Sequence, residues 1–181
     1  MEKKENPQTV RSKEWLLDAL LQIMKEKSYR EITIKELTKR AGLDRKTFYR
    51  HFKNKDEILE MPIKTAFNEY FTKLQCLQEL TLYDAFRIYF ELCIKNKATL
   101  ILLNSQGLMV VVLKKFSEYV PALNDVLLAA PVYRNISSWE SAYIAGGIWN
   151  ITSLWVNNGA KESAEEMAKI IFSFMPSLYK E

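Results

Sequence analysis

The sequence predicts an all-α protein, and three observations carry that expectation. Glycine and proline are scarce, five of each in 181 residues, which favours long helices over many short strands and turns. Apolar residues recur three and four apart through segment after segment. Pairs such as Thr33/Glu36 and Asn54/Glu57 stand where helix-capping residues belong. The length suits one well-buried domain, or a small domain joined to a larger one, and excludes several large ones.

Taken in order, the first helix is expected over residues 9–27, where Trp15, Leu16, Ala19, Leu20, Ile23 and Met24 form one apolar stripe. The stretch ITIKELTKRAGLDRKTFYRHFKNKDEIL follows. Thr33 and Glu36 make a capping box, with Ile32 and Leu37 as the flanking hydrophobic staple, so a short helix begins at Ile34. Gly42 can take the positive φ of a sharp corner, and Asp44 can cap the next helix by accepting from the backbone near Thr47. Asn54 and Glu57 offer a third cap, which starts a fourth helix near Lys55. Two short helices with a three-residue corner read as a helix-turn-helix. Longer helices are expected at 55–79, 82–95, 98–104, 106–130, 137–158 and 163–178, with bends at Pro62 and Pro121. With the first three this makes nine.

Charge placement suggests what the corner motif meets. Residues 1–60 carry 15 Lys and Arg against 11 Asp and Glu, whereas residues 61–181 carry 11 of each, so the net charge of +4 lies in the first third. Within 30–55 there are nine basic residues against Glu31, Glu36 and Asp44, a field suited to a polyanion. In DRKTFYRHF, Phe48 and Phe52 share one helix face and go inward with Leu43. Arg45, Lys46, Thr47, Tyr49, Arg50 and His51 fill the remaining arc, a mixture of cations, hydroxyls and an aromatic body that matches groove reading. Arg45, Lys46 and Thr47, near the helix start, are candidates for base contacts. Tyr49, His51, Lys35 and Lys55 are candidates for phosphate positioning. A solvated charged face is the plain alternative.

Residues 10–61, with T-x-x-E-L-x-x-x-A-G-L followed by T-F-Y-R-H-F-K-N-K-D-E-I-L, resemble the DNA-binding domain of the tetracycline-repressor (TetR) family. The resemblance implies a nine-helix architecture: a DNA-binding domain over 8–68 with its helix-turn-helix at 33–52, and a ligand-binding and dimerisation domain over 69–181. It implies a homodimer holding two recognition helices one turn apart on a pseudo-palindromic operator. By matching positions, Thr33, Lys35, Arg45, Lys46, Thr47, Tyr49, His51 and Lys55 correspond to family positions that often touch DNA. Lys46 departs from the pattern, since many members carry Gly or Pro there, and this leaves the operator sequence open.

The resemblance also assigns the last two helices to the dimer interface and the middle helices to an effector pocket. The residues support the first part: Ala142, Ala145 and Gly146 let another backbone approach, and Ile148, Ile151, Thr152 and Trp155 continue the face. Ala168, Ile171, Phe172 and Met175 form the partner stripe on the final helix, and two copies of this pair would make a four-helix interface. A simple kink is the other explanation for Gly146 and Gly147. Pocket candidates are Phe67, Tyr70, Phe71, Phe86, Tyr89, Phe90, Met109 and Tyr143, a set with few charges that favours an apolar or weakly polar ligand. The closing pattern GGIWNITSLWVNNGAKESAEEMAKII also resembles a TetR subgroup that includes activators of dihydroxyacetone utilisation, which act with a protein partner.

Other classes fare poorly. One histidine, two cysteines seventeen apart and no H-E-x-x-H, E-x-x-H pair or C-x-x-C leave no usual pattern for a zinc or di-iron site. No phosphate-binding glycine loop or nucleophile elbow is present, so no enzyme, cofactor or metal is expected. Cys76 and Cys93 sit in apolar helical patterns and read as buried, reduced thiols. The start MEKKENPQTVRSKEW lacks the apolar run of a signal peptide, and no segment is apolar long enough to span a bilayer, which points to the cytoplasm. The expected function is a sequence-specific regulator, a repressor released by a small-molecule effector. The alternatives are an activator or adaptor governed by a protein partner, or a small-molecule-binding helical protein with an incidental basic patch.

Overall fold

The computed structural model describes residues 6–128 and 137–174. Those residues form nine α-helices and one short 3-10 turn, and no strand occurs among them. The contacts divide the chain into two compact units, Met1–Pro62 and Ile63–Glu181. The division falls inside the fourth helix, a few residues before the boundary at 68 expected from the resemblance.

In the first unit, α1 (Pro7–Met24) starts where the Asn6 side chain accepts from the Gln8 N–H and Pro7 supplies a helix-ready φ. Its buried stripe is Ser12, Leu16, Ala19, Leu20, Ile23 and Met24. Trp15, expected in that stripe, is instead 51% exposed. On a helical wheel it lies at the stripe's edge, where a large ring clears the core. A 3-10 turn at Tyr29–Glu31, which periodicity did not predict, leads to α2 (Ile34–Arg40). α2 begins as expected, with the Thr33 hydroxyl accepting from the Glu36 N–H. The Glu36 carboxylate also takes a bond from Lys27 Nζ at 2.5 Å. Gly42, at φ +66°, ends α2, and the Leu43 N–H reaches back to the Thr38 carbonyl at 2.9 Å. α3 (Arg45–His51) follows, and Phe48, Phe52, Leu37, Leu16 and Leu20 are buried where α1, α2 and α3 pack on one another.

α4 (Asp56–Gln75) starts under the Asn54 side chain, which accepts from the Asp56 and Glu57 N–H groups, and it runs on through Pro62. In the second unit, Ile63, Phe67, Tyr70 and Leu74 of α4 are buried. α5 (Leu82–Lys95) is capped by Thr81, and α6 (Lys97–Ser105) and α7 (Met109–Leu128) follow. α8 (Ser138–Asn157) opens on a complete capping box between Ser137 and Glu140, and α9 (Ala164–Phe174) packs mainly on α5. The core is aromatic: Phe67 stacks on Tyr119 with centroids 4.6 Å apart, and Phe90 meets Trp155 edge-on at 5.6 Å.

This core corrects several expectations. Ala145, Ile148, Trp155, Ala168 and Ile171 were expected at a dimer seam, yet they are buried inside their own chain with Phe86, Phe90 and Phe116. A helix whose hydrophobic residues cover much of its circumference has two candidate faces, and the second unit's core takes the larger one. Ala142 and Phe172 are exposed, Gly146 is half-buried, and Met175 lies outside the described residues. Tyr143, a pocket candidate, is 67% exposed on the outer face of α8 and so is not part of the interior. Cys93 is buried as expected and its thiol is pushed up to about 12 by burial, whereas Cys76, just past the end of α4, is exposed. No helix among the described residues is long and apolar enough to cross a membrane.

Candidate nucleic-acid interface

The helix-turn-helix holds its charged residues outward by three local devices. Asp44 accepts from the Thr47 N–H at 2.5 Å and starts α3; that bond, more than the nearby cations Arg50 and Lys46, holds its carboxyl below the usual range. Phe48, fully buried, pins α3 to the domain, with Phe52 one turn on at 6.0 Å between centroids. Gly42 supplies the left-handed residue that a side chain would strain. Arg45, Lys46, Tyr49 and Arg50 therefore project to solvent along one helix. Tyr49 braces its ring edge-on against Phe48 at 5.2 Å while remaining 52% exposed.

Not every basic residue is available. Lys27 is held by Glu36, and Arg40 forks onto both oxygens of Glu26 at 2.8 Å, so these pairs fasten α2 to the end of α1. Arg11, Lys35, Arg45, Lys46, Arg50 and Lys53 make no ion pair among the described residues. The positive field found in the sequence is thus sorted into cations that hold the domain and cations that face outward.

The expected contact residues separate in the same way. Thr33 and Lys35, at the start of α2, are exposed, as are Arg45, Lys46 and Tyr49 on α3. Thr47 is half-buried and its hydroxyl also bonds Asp44, so its first duty is to the cap. His51 is half-buried with its ring edge-on to Phe52 at 6.4 Å. Lys55 corrects the expectation most clearly. Its ammonium donates to the carbonyls of Tyr29 at 2.5 Å and Ile32 at 3.0 Å and lies 4.3 Å from the centre of the Tyr29 ring. Burial there lowers its pKa from the ordinary lysine value, against the opposing pull of Asp56. Asp56 in turn accepts from the Tyr29 hydroxyl, whose own pKa is raised by burial and then by that bond. This cluster ties the first turn of α4 to the 3-10 turn, and a lysine so engaged does not fit the phosphate contact expected of it. Arg50 on α3 and Arg11 on α1, neither of them an expected contact, are also exposed.

A capped, cation-bearing helix after a glycine corner has the form of a helix-turn-helix. Residues 16–61 match the family model of bacterial regulatory proteins, tetR family. Over 66 residues the chain is 38% identical to YxbF, a helix-turn-helix-type transcriptional regulator of Bacillus subtilis (strain 168), a match covering 36% of this chain and 17% of that protein's length. The structure of Lin0861 from Listeria innocua is similar with a TM-score of 0.82 at 17% identity, over 98% of this chain and 96% of that one. A TetR-family transcriptional regulator from Syntrophomonas wolfei str. Goettingen is similar with a TM-score of 0.68 at 22% identity, over 92% and 94%. At such identities the structural likeness is one of fold. The sequence match to the tetR family is confined to residues 16–61, the helix-turn-helix domain, and the chain spans about a sixth of the length of the curated relative it matches.

Proposed function

We propose that this protein is a homodimeric transcriptional regulator that recognises a pseudo-palindromic operator and represses by occupying it until a small-molecule effector releases it. The observation that carries the reading is the two-sided α3: Phe48 and Phe52 inward, Arg45, Lys46, Tyr49 and Arg50 outward. In this reading Arg45 and Lys46, near the helix start, read base edges, and the guanidinium fork suits a guanine. Thr33, Lys35 and Tyr49 set the register on phosphates, with Thr47 and His51 bordering the same face.

The dimer face proposed is the outer stripe of α8, together with the exposed side of α9. Trp139 is 85% exposed and Leu154 61%, and Tyr143, Gly147 and Asn150 lie on the same side of α8, with Ile170 and Phe174 exposed on α9. A contiguous apolar stripe of that kind is costly to leave in water. A Cβ added at Gly146 or Gly147 would meet nothing within 4 Å in this chain, which supports a role for the glycines in close approach by a second copy.

Support for an effector comes from the middle of the second unit. Tyr89 shares a 2.9 Å hydrogen bond with Thr152 and the Tyr70 hydroxyl donates to the Ala85 carbonyl, and the two phenols meet each other and the rings of Phe71, Phe90 and Phe116. Such a lining suits a weakly polar ligand, which must bind the released form more tightly than the DNA-bound one. Selection from a random duplex pool at fixed salt, followed by footprinting, tests the central reading. A two-fold symmetric site with half-sites one helical turn apart is expected, and recovery of no preferred sequence would overturn it.

A further inference from the structure

Beside α3 lies a cleft of about 560 Å³, lined by Arg11, Ser12 and Trp15 of α1, by Leu43 of the corner, and by Thr47 and Arg50 of α3. Ligand sites run from about 300 to 1,000 Å³, so this one has room for a whole small molecule. Its walls combine three kinds of surface. The exposed Trp15 and the half-buried Leu43 are apolar. Arg11 and Arg50 are exposed and cationic, and no carboxylate lines the cleft. Arg11 and Trp15, four apart on α1, share one helix face. Ser12 is the one buried residue among the lining, and its hydroxyl donates to the Gln8 carbonyl at 2.9 Å, so a polar side chain stands within the buried stripe of α1.

We propose that this cleft binds a small planar aromatic carboxylate, its charge taken by Arg11 and Arg50 and its ring laid on the indole of Trp15, and that the bound molecule opposes DNA binding. A guanidinium meets a carboxylate through paired, charge-assisted hydrogen bonds, and both an indole and a guanidinium plane receive a flat ring. A cation finds no counter-charge on these walls, and an aliphatic ligand leaves the stacking face of the indole unused. The opposition rests on the proposed DNA-binding function, whereas the binding does not. Thr47 and Arg50 belong to α3, whose outward side that function assigns to the duplex, so an occupant engages Arg50 and sets a negative charge where phosphates approach. Like charges so placed weaken association. All of the lining residues belong to the first unit, so the effect needs no change in the second.

The test titrates the full chain with naphthalene-2-carboxylate by calorimetry. Arg11→Ala and Arg50→Ala are each expected to weaken binding by about 10-fold or more, for the loss of a charge-assisted bond, and Trp15→Ala by about 2- to 10-fold, for the loss of a ring contact. Trp15→Phe should keep most of the affinity, and the neutral naphthalene-2-carboxamide should bind wild type about 10-fold more weakly. All three side chains are exposed, so the variants are expected to fold, as thermal unfolding checks. No binding to wild type, equal binding of the carboxamide, or unchanged affinity in all three alanine variants would overturn the inference. The carboxylate should also lower the affinity of wild type for a duplex that it selects, and the concentration needed should rise in Trp15→Ala by the same factor as the dissociation constant. A carboxylate that binds yet leaves duplex affinity unchanged overturns the proposal as well. A wild-type chain that selects no duplex would remove the proposed function and the opposition with it, and the calorimetry would still decide whether the cleft takes the carboxylate.

Discussion

At the scale of single residues, the sharpest division is between cations that bind inward and cations that face outward. Lys55 and Arg45 have the same charge and stand ten residues apart, but their surroundings give them different work. Replacing Lys55 with Met removes a charged donor from the carbonyls of Tyr29 and Ile32 and should destabilise the first unit by about 1–3 kcal/mol. Urea unfolding checks this, and the salt slope of DNA binding should stay as in wild type. Arg45→Ala should leave unfolding unchanged and relax the operator at one or two base pairs, each by about 1–3 kcal/mol of discrimination. Selection repeated with the variant reads that loss directly. Composition could show that the region is basic. It could not show which ammonium is spent on backbone oxygens, because the 3-10 turn that presents them carries no periodic signal.

At the scale of the element, α3 depends on its cap and its anchor. A seven-residue helix is too short to stand alone in water, so Asp44 and Phe48 must hold it to the domain. Phe48→Ala empties a fully buried site and should cost about 3–5 kcal/mol, seen as a lower midpoint of thermal unfolding. The same elements set an acid limit. The carboxyls of Asp44, Glu36 and Glu26 are held below their ordinary values of 3.8, 4.5 and 4.5, chiefly by bonds to the Thr47 N–H, Lys27 and Arg40 respectively. A carboxylate with a depressed folded pKa stabilises fully above its unfolded pKa, and that contribution fades as pH falls through the folded value. Stability of the first unit should therefore be level from neutrality to about pH 5 and decline below it. Asp44→Asn, which keeps an acceptor at the cap, should shallow the decline, as unfolding across a pH series would record.

At the scale of the whole molecule, adjacent residues on α8 have opposite duties. Trp155 is 3% exposed and edge-on to Phe90, while Leu154 is 61% exposed on the outer stripe. Trp155→Ala should unfold or loosen the second unit, at a cost of about 3–5 kcal/mol. Leu154→Glu should halve the mass found by light scattering, keep the helical signal, and weaken operator binding because two linked half-sites become single ones. If Leu154→Glu stays as large as wild type, the outer stripe is not the dimer face. That Ala145, Ile148 and Trp155 fit the pattern of such a face yet lie in the core shows the limit of pattern reading. An apolar helix states that it is buried, but not by which neighbour.

Local chemistry by itself sets much of this protein. The caps at Thr33, Asp44 and Asn54, the corner at Gly42 and the inward phenylalanines follow from spacing and side-chain type, since each acts over a few residues. Three-dimensional packing alone decided that Lys55 turns inward, that Trp15 and Cys76 are exposed, and that Tyr143 leaves the interior. It also placed Arg11 and Arg50 on the walls of one cleft. Those outcomes depend on which surfaces meet across tens of residues, and periodicity along one helix carries no record of its partner.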